Sequence, residues 1–186
     1  MKTNSSVLWL WLPFALTGTI LAGLVYVAVQ QNYRQNANDP QIELAESAAA
    51  VLATGQPPQM FGSNTNTDIA ISLSPFIIVY DEQGKPVSGT ASLNGVLPTP
   101  PAGVLSASKS KGENRLTWEP MHGVRIATII VHYDAQKPGY VLVGRSLREV
   151  EKRENELMVY VFVAWVAILL STSIVNALCQ KKYFQK

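Results

Sequence analysis

Residues 7–29 read VLWLWLPFALTGTILAGLVYVAV, and none of these 23 residues is charged. A second uncharged stretch of 22 residues follows at 157–178, LMVYVFVAWVAILLSTSIVNAL. An α-helix rises about 1.5 Å per residue, so roughly 20 apolar residues cross the ~30 Å hydrocarbon layer of a bilayer. The two stretches therefore predict two transmembrane helices that flank a single folded domain at residues 30–156.

A cleavable signal peptide is the main alternative for the first stretch. Its apolar region is typically about 7–15 residues long and ends in a small-x-small cleavage site. The run at residues 7–29 is longer, and Tyr26 is a large residue where that site needs a small one. We therefore expect an uncleaved membrane anchor.

The charges predict the orientation of the chain. Lysine is the only charged residue type in the two tails, residues 1–6 and 179–186, whereas all 13 acidic residues lie between the apolar stretches. Lysine and arginine next to short loops stay in the cytoplasm, and a long domain is translocated largely regardless of its charge. Both termini are expected inside and the central domain outside.

The central region predicts an α+β domain. Asp39 and Pro40 suit the start of a helix, and Gly55 suits its C-terminal cap. The dozen residues after Pro58, including Gly62–Asn66, are expected to form a loop. The later residues predict five strands in one antiparallel sheet, covered on one face, with a short helix through Val104–Leu105 after the second strand. These strands are Phe76–Tyr80, Val87–Ala91, Asn114–Glu119, Val124–Tyr133 and Tyr140–Arg145.

A further helix is predicted immediately after the last strand. Ser146 and Glu149 have the spacing of a capping box, in which the serine accepts a hydrogen bond from the helix start and the glutamate reaches back. No glycine or proline follows before residue 157. We therefore expect one unbroken helix from Leu147 into the second apolar stretch.

The element order of helix, two strands, helix and three strands between two membrane helices resembles the PAS-like or Cache-like sensor domains of bacterial receptors. The segments FIIVYDEQGKPVSGTASLNG, NRLTWEPMHGVRIATIIV and GYVLVGRSLREVEKRE are similar to the periplasmic region of bacterial sensor histidine kinases. This resemblance implies a location in the bacterial inner membrane and a role in two-component signal transduction.

One departure from that pattern matters for function. Sensor kinases continue after the second span with a HAMP linker, a phosphoacceptor histidine and an ATP-binding domain, but only residues 179–186 follow here. Both histidines, His122 and His132, fall in the outer domain. We therefore expect signalling through a separate partner, a histidine kinase or another signalling protein.

No pattern predicts catalysis. The chain has no nucleophile elbow, P-loop, dinucleotide-binding glycine turn or HExxH motif, so no catalytic residue and no cofactor is expected. The single cysteine, Cys179, offers no Cys-His cluster for a metal, and the basic pI of about 8.7 gives no support for nucleic-acid binding.

A ligand site would need aromatic residues and a fixed charge on the sheet. The candidates are Tyr80, Trp118, Arg125 and His132. Strand alternation places Arg125 and His132 on opposite faces, so they cannot line one pocket without a bulge. The alternatives are that Arg125 pairs with Glu119 or solvent, and that Trp118 belongs to the core or a dimer interface.

Small residues four apart mark both apolar stretches and predict close packing of membrane helices within one chain or in a homodimer. The pairs are Gly18 with Ala22, Thr19 with Gly23, Ala167 with Ser171, and Ser173 with Ala177.

Two functions fit the sequence as a whole. One is a kinase-less sensor subunit, and the other is a membrane scaffold or assembly subunit whose domain binds a protein and no small ligand. A truncated receptor is a third alternative.

Overall fold

The computed structural model describes residues 3–62 and 67–184, and it is a mixed α+β structure. The elements in chain order are α1 (Thr3–Ala53), a 3-10 turn (Pro58–Gly62), β1 (Thr67–Asp68), β2 (Phe76–Asp81), β3 (Pro86–Gly89), β4 (Ala91–Ser92), α2 (Val104–Lys111), β5 (Glu113–Met121), β6 (Val124–Tyr133), β7 (Gly139–Ser146) and α3 (Arg148–Phe184). Residues 34–151 form one compact unit, and the described residues before 34 and after 151 form the other.

A five-stranded antiparallel sheet is the centre of the first unit, as the sequence predicts. Its order is β3-β2-β7-β6-β5, so the first and last long strands of the domain are neighbours. The predicted second strand is divided into β3 and β4. Thr90 separates them, and its hydroxyl accepts a hydrogen bond from the Ile77 amide at 2.9 Å. β4 then pairs in parallel with β1, where the sequence suggested only a loop.

Both faces of the sheet are buried, which corrects the expectation that only one would be covered. The reason is that β2, β6 and β7 are nearly continuous apolar runs, and such strands need a covering layer on each side. The face under α1, called the α1 face, is formed by Ile77, Val79, Ile129, Tyr133, Val141 and Val143, with Ala45, Ala48, Ala49 and Leu52 of the helix. The opposite face, called the α2 face, includes Phe76, Ile78, Tyr80, Trp118, Ile126, Ile130, Tyr140 and Leu142.

The predicted start of a helix at Asp39 is wrong. α1 is already helical from Thr3 and passes through Pro40 without ending. Residues 30–38 contain no glycine or proline that would stop it, and an interior proline removes one backbone hydrogen bond without always ending a helix. The predicted end is confirmed, because α1 stops at Ala53 and Gly55 has a φ of +86°. Residues 63–66 of the predicted loop lie outside the described residues.

The helix predicted after β7 is confirmed. α3 begins at Arg148 and continues as one helix to Phe184. The amide of Arg148 donates a hydrogen bond to Oγ of Ser146 at 3.3 Å, so the serine caps the helix start through the amide two residues on, whereas the predicted capping box uses the amide three residues on.

Two of the described helices are long and apolar enough to cross a membrane. The segments run over Trp11–Ala53, with a mean hydropathy of 2.0 in its most apolar window, and Arg148–Leu178, with 2.3. The side chains of these windows are almost entirely exposed, as lipid-facing side chains would be.

Candidate functional site

Two of the four predicted ligand residues lie in one row across the α2 face. Tyr80 of β2 is paired with Tyr140 of β7, which is paired in turn with His132 of β6. Tyr80 is fully buried, and its hydroxyl donates a 2.6 Å hydrogen bond to the carbonyl of Pro98. Burial raises the pKa of the Tyr80 phenol well above its ordinary value. Tyr80 therefore closes this face against the loop before α2.

His132 is the more polar member of that row. Its side chain is 9% exposed, its ring packs edge-on against Tyr140 with centroids 5.2 Å apart, and its Nδ1 lies 3.7 Å from an Asp134 carboxylate oxygen. The imidazole ring is thus largely buried, and its Nε2 has no hydrogen-bond partner among the described residues.

The other two candidates lie elsewhere. Trp118 is paired with Ile126, six residues along β6 from His132, which corresponds to about 20 Å of strand. Arg125 lies on the strand face that alternation predicts. Ile129, four residues further along β6 and on the same side as Arg125, belongs to the α1 face, whereas the adjacent Ile126 belongs to the α2 face. The structure therefore brings Tyr80 and His132 into one row and separates both from Trp118 and Arg125.

The α2 face is filled by the protein's own side chains. Six of its large residues are no more than 2% exposed, namely Phe76, Ile78, Tyr80, Ile126, Ile130 and Leu142. Partly buried residues from the loop and α2 cover them, among them Leu97, Val104 and Leu105. A side chain at Gly89 would come within 2.8 Å of Leu97, so the loop lies directly on the sheet edge.

Arg125 instead takes part in the contact between the sheet and α3, which we call the β7–α3 junction. Its guanidinium forms an ion pair and hydrogen bond with Glu151, in the first turns of α3. Its carbonyl accepts a 2.9 Å hydrogen bond from the Leu147 amide. The expected partner of Arg125, Glu119, instead accepts a hydrogen bond from the Gly123 amide. Arg125, at the start of β6, thus bonds both to Leu147, just before α3, and to Glu151, within α3.

Two more arginines complete the junction. Arg148 Nη2 donates to the carbonyl of Ile71 at 3.0 Å, and Arg145 Nε donates to the carbonyl of Leu73 at 3.3 Å. Guanidinium groups are rigid, multiple donors, so they fix the geometry of the groups they join. The turn before β2 and the start of β6 are therefore bonded to the beginning of α3, and Arg145 bonds the same turn to the end of β7.

The opposite end of the sheet has a separate ion pair. Lys109 of α2 contacts Glu82 of the β2–β3 turn at 2.6 Å. The hydrogen bond and charge of Lys109 lower the pKa of the Glu82 carboxyl, and the Glu82 carboxylate raises the pKa of Lys109 in the same way. Both groups are exposed, so this pair contributes little to stability.

A cleft of about 410 Å³ opens at that same end, on the α1 face. Its walls come from the end of α1 and the 3-10 turn, the β2–β3 hairpin and the β6–β7 loop, including Leu52, Pro57, Asp81, Tyr133 and Lys137. The volume lies within the range of small-molecule sites. The sequence predicts these segments as a helix end, strand ends and loops, and nothing in it shows that they enclose a space.

In the unit of apolar segments, α1 and α3 are joined by two tryptophan–threonine hydrogen bonds. Trp11 Nε1 donates to Thr172 Oγ1 at 3.2 Å, and Trp165 Nε1 donates to Thr19 Oγ1 at 2.9 Å. Each threonine hydroxyl also donates within its own helix, to Ala15 and to Ile168. Such bonds leave no unsatisfied polar hydrogen, which is what a hydrocarbon environment requires.

The small residues of these segments take different positions. Gly18 is buried, and a side chain there would meet Ile168 Cγ2 at 3.1 Å, so the two helix backbones are close at this point. Ala22 and Gly23, with Thr19, line an apolar groove. Ala167, Ser171, Ser173 and Ala177 are exposed. The side chain of Cys179 lies outside the described ones.

No protein-family model matches this chain, and a search of curated proteins gives no match. In the described residues, no group of three histidine, cysteine, aspartate or glutamate side chains could hold a metal ion. The β7–α3 junction is the candidate functional site, because its arginines bond the start of β6 and the turn before β2 to the beginning of α3.

Proposed function

We propose that this chain is a non-catalytic, membrane-anchored regulatory protein of the sensor type. In this proposal the domain at residues 34–151 passes a change of state through α3 to a separate partner, a histidine kinase or another signalling protein. The observation that carries the proposal is the β7–α3 junction. Bonds from Arg125 and Arg148 tie the start of β6 and the turn before β2 to the start of a helix that continues to Phe184, and Arg145 bonds that same turn to the end of β7.

The element order supports a PAS-like or Cache-like domain. Helix α1, two sheet strands, α2 and three further sheet strands follow one another as they do in the family that the sequence resembles. The location we propose is the bacterial inner membrane, with both termini in the cytoplasm and the domain in the periplasm. The two long apolar helices and the lysine-only tails support this topology.

The coupling through the junction can be tested by disulfide formation between the apolar helices. Gly18→Cys and Ile168→Cys, in a Cys179→Ser background, place two thiols where the helices touch. The full chain is reconstituted in lipid vesicles, and the rate of disulfide formation is measured with and without Arg125→Gln. We expect a severalfold change, because the variant removes the ion pair with Glu151.

Arg115→Gln is the matched control. Arg115 pairs with Glu113 at 2.5 Å on β5, and both pairs are partly exposed ion pairs of the same type. The Arg115→Gln variant should leave the rate of disulfide formation unchanged. An identical rate in the parent, Arg115→Gln and Arg125→Gln proteins would contradict the proposed coupling.

A membrane scaffold that binds a protein and no small ligand is the second candidate. The filled α2 face favours it, since the row that contains Tyr80 and His132 has its own side chains where a ligand would sit. Ligand binding by Arg125, Trp118, Tyr80 or His132 stays a prediction. The cleft lined by Leu52 and Tyr133 offers a ligand more room.

Thermal unfolding of the full chain in detergent separates the two candidates. A metabolite at 100 times its Kd should add about 2.7 kcal/mol to the free energy of unfolding. A clear rise in Tm with one chemical class supports the sensor. Unchanged Tm across a broad panel favours the scaffold.

A further inference from the structure

The turn between β1 and β2 presents apolar side chains to solvent beside the β7–α3 junction. Ile71 is 71% exposed and Leu73 is 37% exposed, whereas Ile69 at the start of the turn is buried. The amides of Ile71 and Ser72 both donate to the carbonyl of Asp68, at 3.1 and 2.8 Å. The backbone is thus held in a tight turn, and its two large apolar side chains project from it.

Two arginines with spare donors, one from β7 and one from α3, are bonded to this turn. Arg148 and Arg145 bond to the carbonyls of Ile71 and Leu73. A guanidinium has five N–H donors, so most remain available after one such bond. In the described part of the chain, neither arginine has a carboxylate partner within ion-pair distance, whereas Arg125 and Arg115 do. Exposed apolar side chains beside unneutralised guanidinium groups are the combination found on membrane-surface segments.

The length of α3 between Arg148 and the apolar stretch is comparable with the thickness of the lipid headgroup layer plus the reach of one arginine side chain. Arg148 and Leu157, where the apolar stretch begins, are nine residues apart on one continuous helix. Nine residues correspond to about 14 Å of helix axis. The headgroup layer is roughly 5–8 Å thick on each side of the hydrocarbon, so about 6–9 Å separates Arg148 from its outer edge, a distance of the order of one extended arginine side chain.

We propose that the turn at residues 69–74, with Arg145 and Arg148, docks on a phospholipid surface that contains anionic headgroups. The guanidinium groups donate to lipid phosphates in the geometry that arginine favours, and Ile71 and Leu73 enter the boundary between headgroups and acyl chains. Among the nearby carboxylates that the structure describes, Glu151 is engaged by Arg125 and Asp68 accepts a hydrogen bond from the Ala70 amide, and neither forms an ion pair with Arg145 or Arg148. The inference rests on the membrane anchoring in the proposed function, and it adds a lipid contact to the junction.

The test places a single fluorescent probe at chosen positions of the full chain. In a Cys179→Ser background, Ile71→Cys is labelled with an environment-sensitive dye and reconstituted in vesicles of phosphatidylcholine and phosphatidylglycerol. Lipids with a nitroxide on the headgroup act as quenchers. Lys137→Cys, exposed in the β6–β7 loop at the other end of the sheet, is the aqueous control, and Leu170→Cys, exposed on the apolar part of α3, is the membrane control.

We expect severalfold stronger quenching at position 71 than at position 137. Combining Arg145→Gln with Arg148→Gln, or omitting phosphatidylglycerol, should reduce the quenching at position 71, whereas Arg115→Gln should not. Equal quenching at 71 and 137, with the probe at 170 blue-shifted as in hydrocarbon, would overturn the lipid contact alone. Quenching at 71 that ignores both the arginines and the anionic lipid would overturn it too. An aqueous emission at 170 would instead contradict the membrane anchoring.

Discussion

The two faces of the sheet are buried by different kinds of covering. On the α1 face, Ala45, Ala48 and Ala49 bring a long helix close to the strands, so the contact depends on small side chains. On the α2 face, large residues such as Phe76 and Tyr80 are covered by a loop and a helix of eight residues. One face is therefore a helix–sheet interface, and the other is a core filled by aromatic and branched side chains.

This difference bears on function. The helix on the α1 face, α1, also contains the first apolar stretch, so packing on that face connects the sheet with the segment proposed to cross the membrane. The covering of the α2 face has no such continuation. We therefore expect substitutions on the α2 face to act mainly on stability, and enlargement on the α1 face to act on stability and on the helices together.

The largest expected effect is truncation on the α2 face. Phe76 is 2% exposed, and Phe76→Ala should lower the free energy of unfolding by about 3–5 kcal/mol, because it leaves a cavity in the core. Chemical denaturation of the full chain in detergent, followed by tryptophan fluorescence, measures it. Val96→Ala, at a position that is 67% exposed, should cost far less. Equal costs would contradict a tightly filled α2 face.

Enlargement on the α1 face comes next. Ala48 is 3% exposed under the helix, and Ala48→Leu should cost about 1–3 kcal/mol through overpacking. Ala50→Leu is the matched control on the exposed side of the same helix, where the added side chain meets solvent. The same denaturation experiment compares them. If Ala48→Leu is as stable as Ala50→Leu, the helix does not lie closely on the sheet.

A smaller effect is expected from the hydrogen bond that closes the α2 face. Tyr80→Phe removes the donor to the Pro98 carbonyl and should cost about 0.5–1.5 kcal/mol. Tyr160→Phe, at a 69% exposed position, serves as the control for loss of a phenol. No difference between the two variants would mean that the loop before α2 is not fixed by Tyr80.

The smallest expected effect concerns the Glu82–Lys109 ion pair, whose contribution to stability depends on pH. The folded protein lowers the pKa of Glu82, so the pair adds stability above the carboxyl's unfolded value, about 4.3, and loses it as pH falls through the folded value. Glu82→Gln should therefore lower Tm slightly at pH 7, and this difference should shrink as pH falls below about 4. Glu43→Gln, exposed on α1, is the control. A Tm difference that persists in acid would contradict this origin.

The sequence predicts the parts of the fold that depend on local pattern. β6 begins and ends at the predicted residues, Val124 and Tyr133, because alternation and the flanking turns are both readable there. The unbroken α3 follows from the absence of glycine and proline. The continuation of α1 through Pro40 was missed, because a proline that suits the first turn of a helix can also be tolerated inside one.

The candidate site was less predictable. Alternation placed Arg125 on the correct strand face, yet its partner Glu151 is 26 residues away and depends on the direction in which α3 leaves β7. The bonds from Arg145 and Arg148 to the turn before β2 span more than 70 residues and end on backbone carbonyls, which have no signature in the sequence. Long-range contacts of this kind follow from the tertiary fold and from no local pattern.

Labelling of single thiols in spheroplasts tests the membrane arrangement most directly. The native Cys179 reports on the tail after the second apolar stretch, and Lys137→Cys in a Cys179→Ser background reports on the domain. With a membrane-impermeant maleimide, we predict rapid labelling at position 137 in intact spheroplasts and labelling of Cys179 only after permeabilisation. Labelling of Cys179 in intact spheroplasts, or recovery of the chain from the soluble fraction, would contradict the account.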